Sequence, residues 1–164
     1  RRLFYFSHMN FDQYKYIFVE GPIGVGKTTL TRKIAEHSGA QTLLEQAQEN
    51  PFLEKFYRDA ARYALPTQMF FLFQRMSQLR DLAQADLFNA PILSDFLLDK
   101  DPIFAGLTLA DDELNLYRQL YEHLRPQAPQ PDLVIYLQAQ PETLVELGKN
   151  GGGSLEAAIS ETSL

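Results

Sequence analysis

The chain of 164 residues contains no cysteine, so neither a disulfide framework nor a thiolate zinc site is open to it. That absence fits a reducing compartment, and the expected localisation is cytoplasmic. Basic charge is scarce as well: 15 Lys and Arg stand against 21 Asp and Glu, a formal net charge of -6. A non-specific grip on a nucleic-acid polymer needs a basic footprint, so no nucleic acid is expected as a partner. No apolar run approaches the roughly 20 residues of a membrane-spanning helix, and no signal-peptide pattern opens the chain; no membrane partner is expected either. Tryptophan is missing, yet 12 Phe and 8 Tyr furnish an aromatic-rich interior or pocket.

What is present suits one globular domain able to bury a real core, with 45% hydrophobic residues. Residues 1–9, RRLFYFSHM, look unlike the rest of the chain and end in Ser7-His8-Met9, the mark of a tag remnant. Residues 10–164 read as a single domain. Tyr16–Glu20 is a β-branched and aromatic run, expected as a strand buried on both faces. Thr28–His37 carries Leu30, Ile34 and Ala35 at helical spacing, with Gly39 where a helix C-terminus closes. Gln41–Leu44 reads as a second strand and Pro51–Arg58 as a short helix with Asn50 as its N-cap. Pro66–Phe88 is the longest periodic segment, with Met69, Phe70, Phe73, Met76, Leu79 and Leu82 recurring along it. PILSD (91–95) is a third strand, Asp111 or Asp112 caps a helix to Leu124, RPQAPQP (125–131) is a stiff loop, and DLVIYL (132–137) is the clearest strand. A further helix starts at Pro141, before the glycine-rich stretch 148–154. Strands alternating with helices predict an α/β fold, a parallel sheet flanked by helices.

Gly21-x-x-x-x-Gly26-Lys27-Thr28 is a complete Walker A pattern, following a predicted strand and opening a predicted helix. Glycines permit backbone conformations closed to other residues, so successive N–H groups converge on one anion-sized hollow, and the next helix adds its dipole. Gly21, Gly24, Gly26, Lys27, Thr28 and Thr29 form the expected set for ATP or another NTP. Lys27 reaches the outer phosphates and the Thr28 hydroxyl ligates Mg2+. This predicts a three-layer P-loop NTPase fold. Such loops serve GTPases, ATPase motors and small-molecule kinases; the base-reading Asn-Lys-x-Asp motif of a GTPase is absent from the sequence.

Four stretches in order, IFVEGPIGVGKTTL, LLEQAQENPFLEKFYRD, YALPTQMFFLFQR and PDLVIYLQAQPETL, resemble the deoxynucleoside kinases, in particular the bacterial branch acting on deoxyadenosine or deoxyguanosine. The resemblance runs from about Tyr16 to the C-terminus. It implies a homodimer and phosphoryl transfer from ATP to the 5'-hydroxyl of a small-molecule deoxynucleoside, a salvage reaction. Glu45 falls where the family places its general base; the alternatives are a surface carboxylate at a strand end, or Glu49 as the base. Gln68 matches the glutamine that pairs with the base edge, against a plain polar residue on an exposed helix face. Phe71 lines the base pocket or, as part of an aromatic stripe, the core. Tyr57 aligns with the tyrosine touching the sugar 3'-hydroxyl and Glu156 with a sugar-binding glutamate. Asp95 corresponds to the acid after the third strand, near Mg2+ or holding the base in place.

Three departures stand out. No arginine follows Asp95, although many members carry acid-Arg-Ser there. The lid arginines fall at Leu147 and Gly151, which leaves Lys149 and Arg75 as auxiliary cations. The family normally adds a further helix and a final strand, so the resemblance implies a domain lacking them. Within the same fold, a thymidylate-type nucleoside monophosphate kinase is the alternative; from another class, a non-catalytic nucleotide-binding module.

Overall fold

The computed structural model describes residues 11, 13–84 and 90–144. They divide into two compact units. The first holds the described residues up to Leu44, then Ala90–Phe96 and those from Pro131; the second holds Glu45–Gln84 and Leu97–Gln130.

The first unit is built on a four-stranded parallel sheet of β1 (Tyr16–Glu20), β2 (Gln41–Leu43), β3 (Ile92–Ser94) and β4 (Leu133–Tyr136), in the order β2-β3-β1-β4. Ile17 pairs with Leu93 on one side and Leu133 on the other, which fixes the register. Asp132 sets the same register chemically: its Oδ2 accepts from the N–H groups of Lys15 (2.9 Å) and Tyr16 (2.8 Å). β1 is central and buried from Ile17 to Glu20, as its unbroken apolar run predicts. β4 borders it with half-buried and exposed residues alternating, so the strand that reads most clearly in sequence is an edge strand among the described residues.

Helix α1 (Lys27–Ser38) buries Thr31, Ile34 and Ala35; Leu30 is only partly buried. Ile34 joins Phe11, Ile17 and Leu93 in the core of this unit. Gly39 ends the helix with φ 68°, its N–H bonded to the Ala35 carbonyl at 2.9 Å. The chain crosses from β1 to β2 on one side and reaches β4 on the other. The C-terminal ends of β1 and β3 therefore lie side by side at a switch point, where α/β sheets bind ligands.

The second unit is helical: α2 (Leu53–Arg58), α3 (Ala60–Gln84), α4 (Asp101–Thr108) and α5 (Asp111–Leu124). Several expectations are corrected here. α3 does not begin at Pro66 but at Ala60, with Asp59 Oδ1 accepting from the Arg62 N–H (3.3 Å) as a cap and Pro66 inside the helix. An interior proline costs roughly 3 kcal/mol; here a preceding cap and a buried Ala64 and Thr67 on either side of it accompany that cost. The buried face of α3 is Ala64, Thr67, Gln68, Leu72, Met76 and Leu79, whereas Phe73 is 51% exposed. Met76 and Leu79 of the expected stripe therefore lie on the buried face, whereas Phe73, about 100° around the axis from Leu72, does not.

Asn50 does not cap α2 directly, since that helix starts at Leu53; its Oδ1 accepts from the Phe52 N–H (3.0 Å) and its amide donates to the Thr67 carbonyl (3.1 Å). Neither Asp111 nor Asp112 is the α5 cap: Ala110 occupies that position, and both aspartates lie in the first turn, where they complement the helix dipole. α4 has no counterpart in the sequence reading. The segment 125–131 contains a 3-10 turn, Arg125–Gln127. Residues 141–144 are helical as expected. The tag remnant 1–9, Leu147, Lys149, Gly151 and Glu156 lie outside the described residues.

Candidate active site

The phosphate loop starts where β1 stops. Gly21 has φ 150° and a Cβ built on it would sit 2.6 Å from the Leu137 carbonyl oxygen, so both conformation and space demand glycine. Gly26, φ 97°, is the N-cap of α1, and its carbonyl accepts from the Leu30 N–H at 3.0 Å. The loop thus delivers the N-terminus of a twelve-residue helix to the sheet's C-terminal edge. Lys27 is folded back across the loop, its Nζ donating to the carbonyls of Gly21 and Pro22, each at 3.0 Å. Glu20, buried beneath, accepts from the Gly21 N–H at 2.7 Å and pins the loop's first residue.

Asp95 follows β3, its N–H bonded to the Leu43 carbonyl (3.2 Å) and its residue 3% exposed. The Thr28 hydroxyl donates to Asp95 Oδ2. Residues distant in sequence, both predicted to serve Mg2+, are therefore brought together. A hydroxyl beside a carboxylate is the hard-oxygen pair that Mg2+ takes in phosphate-binding enzymes, where substrate phosphates and waters complete the shell. Among the described residues no group of three or more His, Cys, Asp or Glu gathers as a metal cluster, which such a site does not require. Next to Asp95, where arginine is expected, Phe96 is buried at 3% exposure, its N–H bonded to Ser94 Oγ (3.3 Å).

In the helical unit, Glu45 is not a bare surface carboxylate. Its Oε1 accepts from Arg75 Nε (3.1 Å) and Nη2 of α3. Arg75 Nη1 is ion-paired with Asp101, which is wholly buried at the start of α4, and its Cζ lies 4.9 Å from the centre of the Phe71 ring. Glu49 is held separately, by Gln74 Nε2 (3.1 Å). Gln68 is 7% exposed, which removes the reading of an exposed-face residue; its Nε2 donates to Thr108 Oγ1 (3.3 Å), and that hydroxyl donates on to the Phe104 carbonyl (2.8 Å). Phe71 is half-buried and stacked beneath the Arg75 guanidinium rather than lost in the core. Tyr57, 45% exposed on α2, packs edge-on to Phe56, and burial raises its hydroxyl above the ordinary phenol range. Asp101 is the site residue that the sequence reading misses. It sits in a run of acids and lysine, and nothing local marks it as the buried partner of Arg75.

Comparison with known proteins bears on the whole arrangement. The family model for deoxynucleoside kinase matches residues 17–164. A deoxyguanosine kinase of Bacillus subtilis (strain 168) is 36% identical over 149 residues, covering 90% of this chain and 72% of that protein. A deoxyadenosine/deoxycytidine kinase of the same organism is 32% identical, covering 89% of this chain and 70% of that protein. Among solved structures, deoxyadenosine kinase from M. mycoides with bound dATP superposes with a TM-score of 0.78 at 27% identity, covering 91% of this chain and 77% of that one. The same enzyme with dCMP and dCDP gives a TM-score of 0.79, covering 90% and 77%. The chain belongs to the deoxynucleoside kinase family.

Proposed function

We propose that this chain transfers the γ-phosphoryl group of ATP to the 5'-hydroxyl of a deoxynucleoside, with Glu45 as general base and Thr28 and Asp95 holding Mg2+. The observation that carries the donor half is the Thr28–Asp95 hydrogen bond at the mouth of a complete Walker A loop. The loop's N–H groups and Lys27 hold the outer phosphates, and the α1 dipole adds to their grip. Bound at Thr28 and Asp95, Mg2+ supplies neutralisation of phosphate charge.

On the acceptor side, Glu45 takes the proton of the 5'-hydroxyl as that oxygen attacks the γ-phosphorus. The new P–O bond forms while the bond to the β-phosphate breaks, and ADP leaves. Gln68 reads the base edge with an amide that offers donor and acceptor together, which suits a purine or a cytosine. Phe71 supplies an apolar wall, and Tyr57 and Glu156 hold the sugar. No helix among the described residues is long and apolar enough to cross a membrane. The reaction's salvage role is cytoplasmic, and the protein works as a homodimer; the exposed Ile103 (63%) and Leu107 (78%), one turn apart on α4, supply apolar surface for it. Sedimentation as a monomer at micromolar concentration overturns that assembly.

Transfer of label from γ-labelled ATP to a panel of nucleosides and nucleoside monophosphates tests the reaction. Deoxynucleosides are expected to become labelled, and the Glu45→Gln variant to lose roughly 10²–10⁴-fold in kcat. Labelling of monophosphates alone points instead to a thymidylate-type kinase. Nucleotide binding with no transfer to any acceptor overturns the enzyme reading.

A further inference from the structure

We propose that Thr108 is a positioning residue that determines specificity: its hydroxyl fixes the sense of the Gln68 amide and so selects between 6-aminopurine and 6-oxopurine nucleosides. The inference rests on the reading of Gln68 as the residue that meets the base edge. Its own support is a proton count along three groups. The Phe104 carbonyl is an acceptor only and lies 2.8 Å from Thr108 Oγ1, so the one proton of that hydroxyl points to it. Thr108 Oγ1 then faces Gln68 as an acceptor. Of the two ends of the amide only Nε2 carries hydrogen, and Nε2 is the atom that meets Oγ1, at 3.3 Å. Nitrogen and oxygen of an amide have nearly the same shape, so their order here is dictated by the threonine.

The rest of the side chain has little freedom to undo this. Gln68 is buried, and so are Thr67 and Leu72 on the same helix. The Thr67 carbonyl accepts from Asn50 Nδ2 at 3.1 Å, which ties the α3 backbone down one residue before Gln68. What remains open is rotation of the amide by half a turn, which would exchange its donor and acceptor. The Thr108 hydroxyl opposes that turn, because Oε1 in place of Nε2 sets two acceptors against each other. One N–H goes to Thr108, so Oε1 and the second N–H serve the base in a fixed order.

That order matters to a purine. A 6-aminopurine presents an N1 acceptor beside an amino donor, and a 6-oxopurine an N1–H donor beside an oxygen acceptor. One edge is the reverse of the other. An amide held in one sense pairs twice with one of them and meets the other like against like, whereas an amide free to turn takes both.

Deoxyadenosine and deoxyinosine differ at that edge alone. Their kcat/KM values with the native chain, Thr108→Val, Thr108→Ser and Gln68→Ala test the inference, with thermal unfolding as a check of folding. The native chain should favour one of the two by at least about tenfold. Thr108→Val keeps the shape and loses the hydroxyl. It should bring the ratio to within about threefold of one, chiefly by raising kcat/KM for the disfavoured nucleoside, with the KM for ATP nearly unchanged. Thr108→Ser restores the hydroxyl and should keep the native preference.

A native chain that phosphorylates both equally, or neither, overturns the inference. So does Thr108→Val with the native ratio while Gln68→Ala loses it, or Thr108→Ser losing the preference as Thr108→Val does. A Gln68→Ala variant that discriminates as the native chain does overturns instead the reading of Gln68 on which the inference rests.

Discussion

In the sheet-bearing unit, the proposed phosphate site is built from a loop with glycines at φ 150°, 78° and 97° and the backbone N–H groups of the first turn of α1. In the helical unit, the polar groups are side chains that find each other across the sequence, Arg75 reaching Glu45 over 30 positions and Gln68 reaching Thr108 over 40. A backbone-built site is encoded within one short stretch and tolerates change at few positions. A side-chain-built site is spread over three elements, and its parts can be exchanged if their charges and shapes are exchanged together.

The contrast is tested most severely in the phosphate loop by comparing Gly21→Ala with Lys27→Ala. A methyl group at Gly21 meets the Leu137 carbonyl oxygen at 2.6 Å in a conformation that side chains avoid, and is expected to cost about 2–4 kcal/mol of stability as well as activity. Lys27→Ala removes only a side chain whose ammonium bonds two loop carbonyls. It should lower kcat roughly 10²–10³-fold while costing less than about 1 kcal/mol of stability. Denaturant unfolding and initial-rate kinetics on both variants separate the two effects. If alanine at 21 unfolds no more easily than alanine at 27, the backbone is not what the loop depends on.

The same contrast explains what can be read from sequence. The Walker A loop, the strands and α1 are specified by local spacing, and each lies within a residue or two of its expected bounds. Thr28 and Asp95 meet because a β2-β3-β1-β4 order sets their strands side by side in the parallel sheet that alternating strands and helices predict. In the helical unit, Pro66 suggests a helix start because proline favours the first turn, while the true cap at Asp59 lies upstream of the periodic stretch. The expected stripe meets the buried face at Met76 and Leu79 but leaves it at Phe73, because side chains 100° apart are equally apolar there. α4 and Asp101 are invisible for a related reason: the run Asp99-Lys100-Asp101 reads as solvated charge, and only tertiary packing singles out one of its carboxylates for burial.

The smallest expected effect comes from Tyr117, a side chain of the helical unit that reaches no polar partner. It is fully buried on α5, stacked on Tyr121 with ring centres 6.2 Å apart, and its hydroxyl has no hydrogen-bond partner among the described residues. Burial pushes its ionisation well above the ordinary phenol value; the neighbouring Tyr121 adds to this, and the Arg75 guanidinium partly offsets it. The folded state therefore holds the phenol proton more tightly than the unfolded chain. That contribution is complete below about pH 10, where phenols in the unfolded chain are neutral, and declines as pH rises beyond it. Tyr117→Phe keeps the ring stacking and deletes the hydroxyl. Near pH 7 it should leave stability unchanged or raise it by up to about 1 kcal/mol, because no hydrogen bond is lost. Above pH 10 the variant should lose stability less steeply than the native chain, as one of the groups driving alkaline unfolding is gone. Urea unfolding of both proteins from pH 7 to 11 gives the comparison. Parallel curves, or a loss of more than about 1 kcal/mol at neutral pH, mean that the hydroxyl is bonded after all and that the polar web of the helical unit extends beyond Glu45, Arg75 and Asp101.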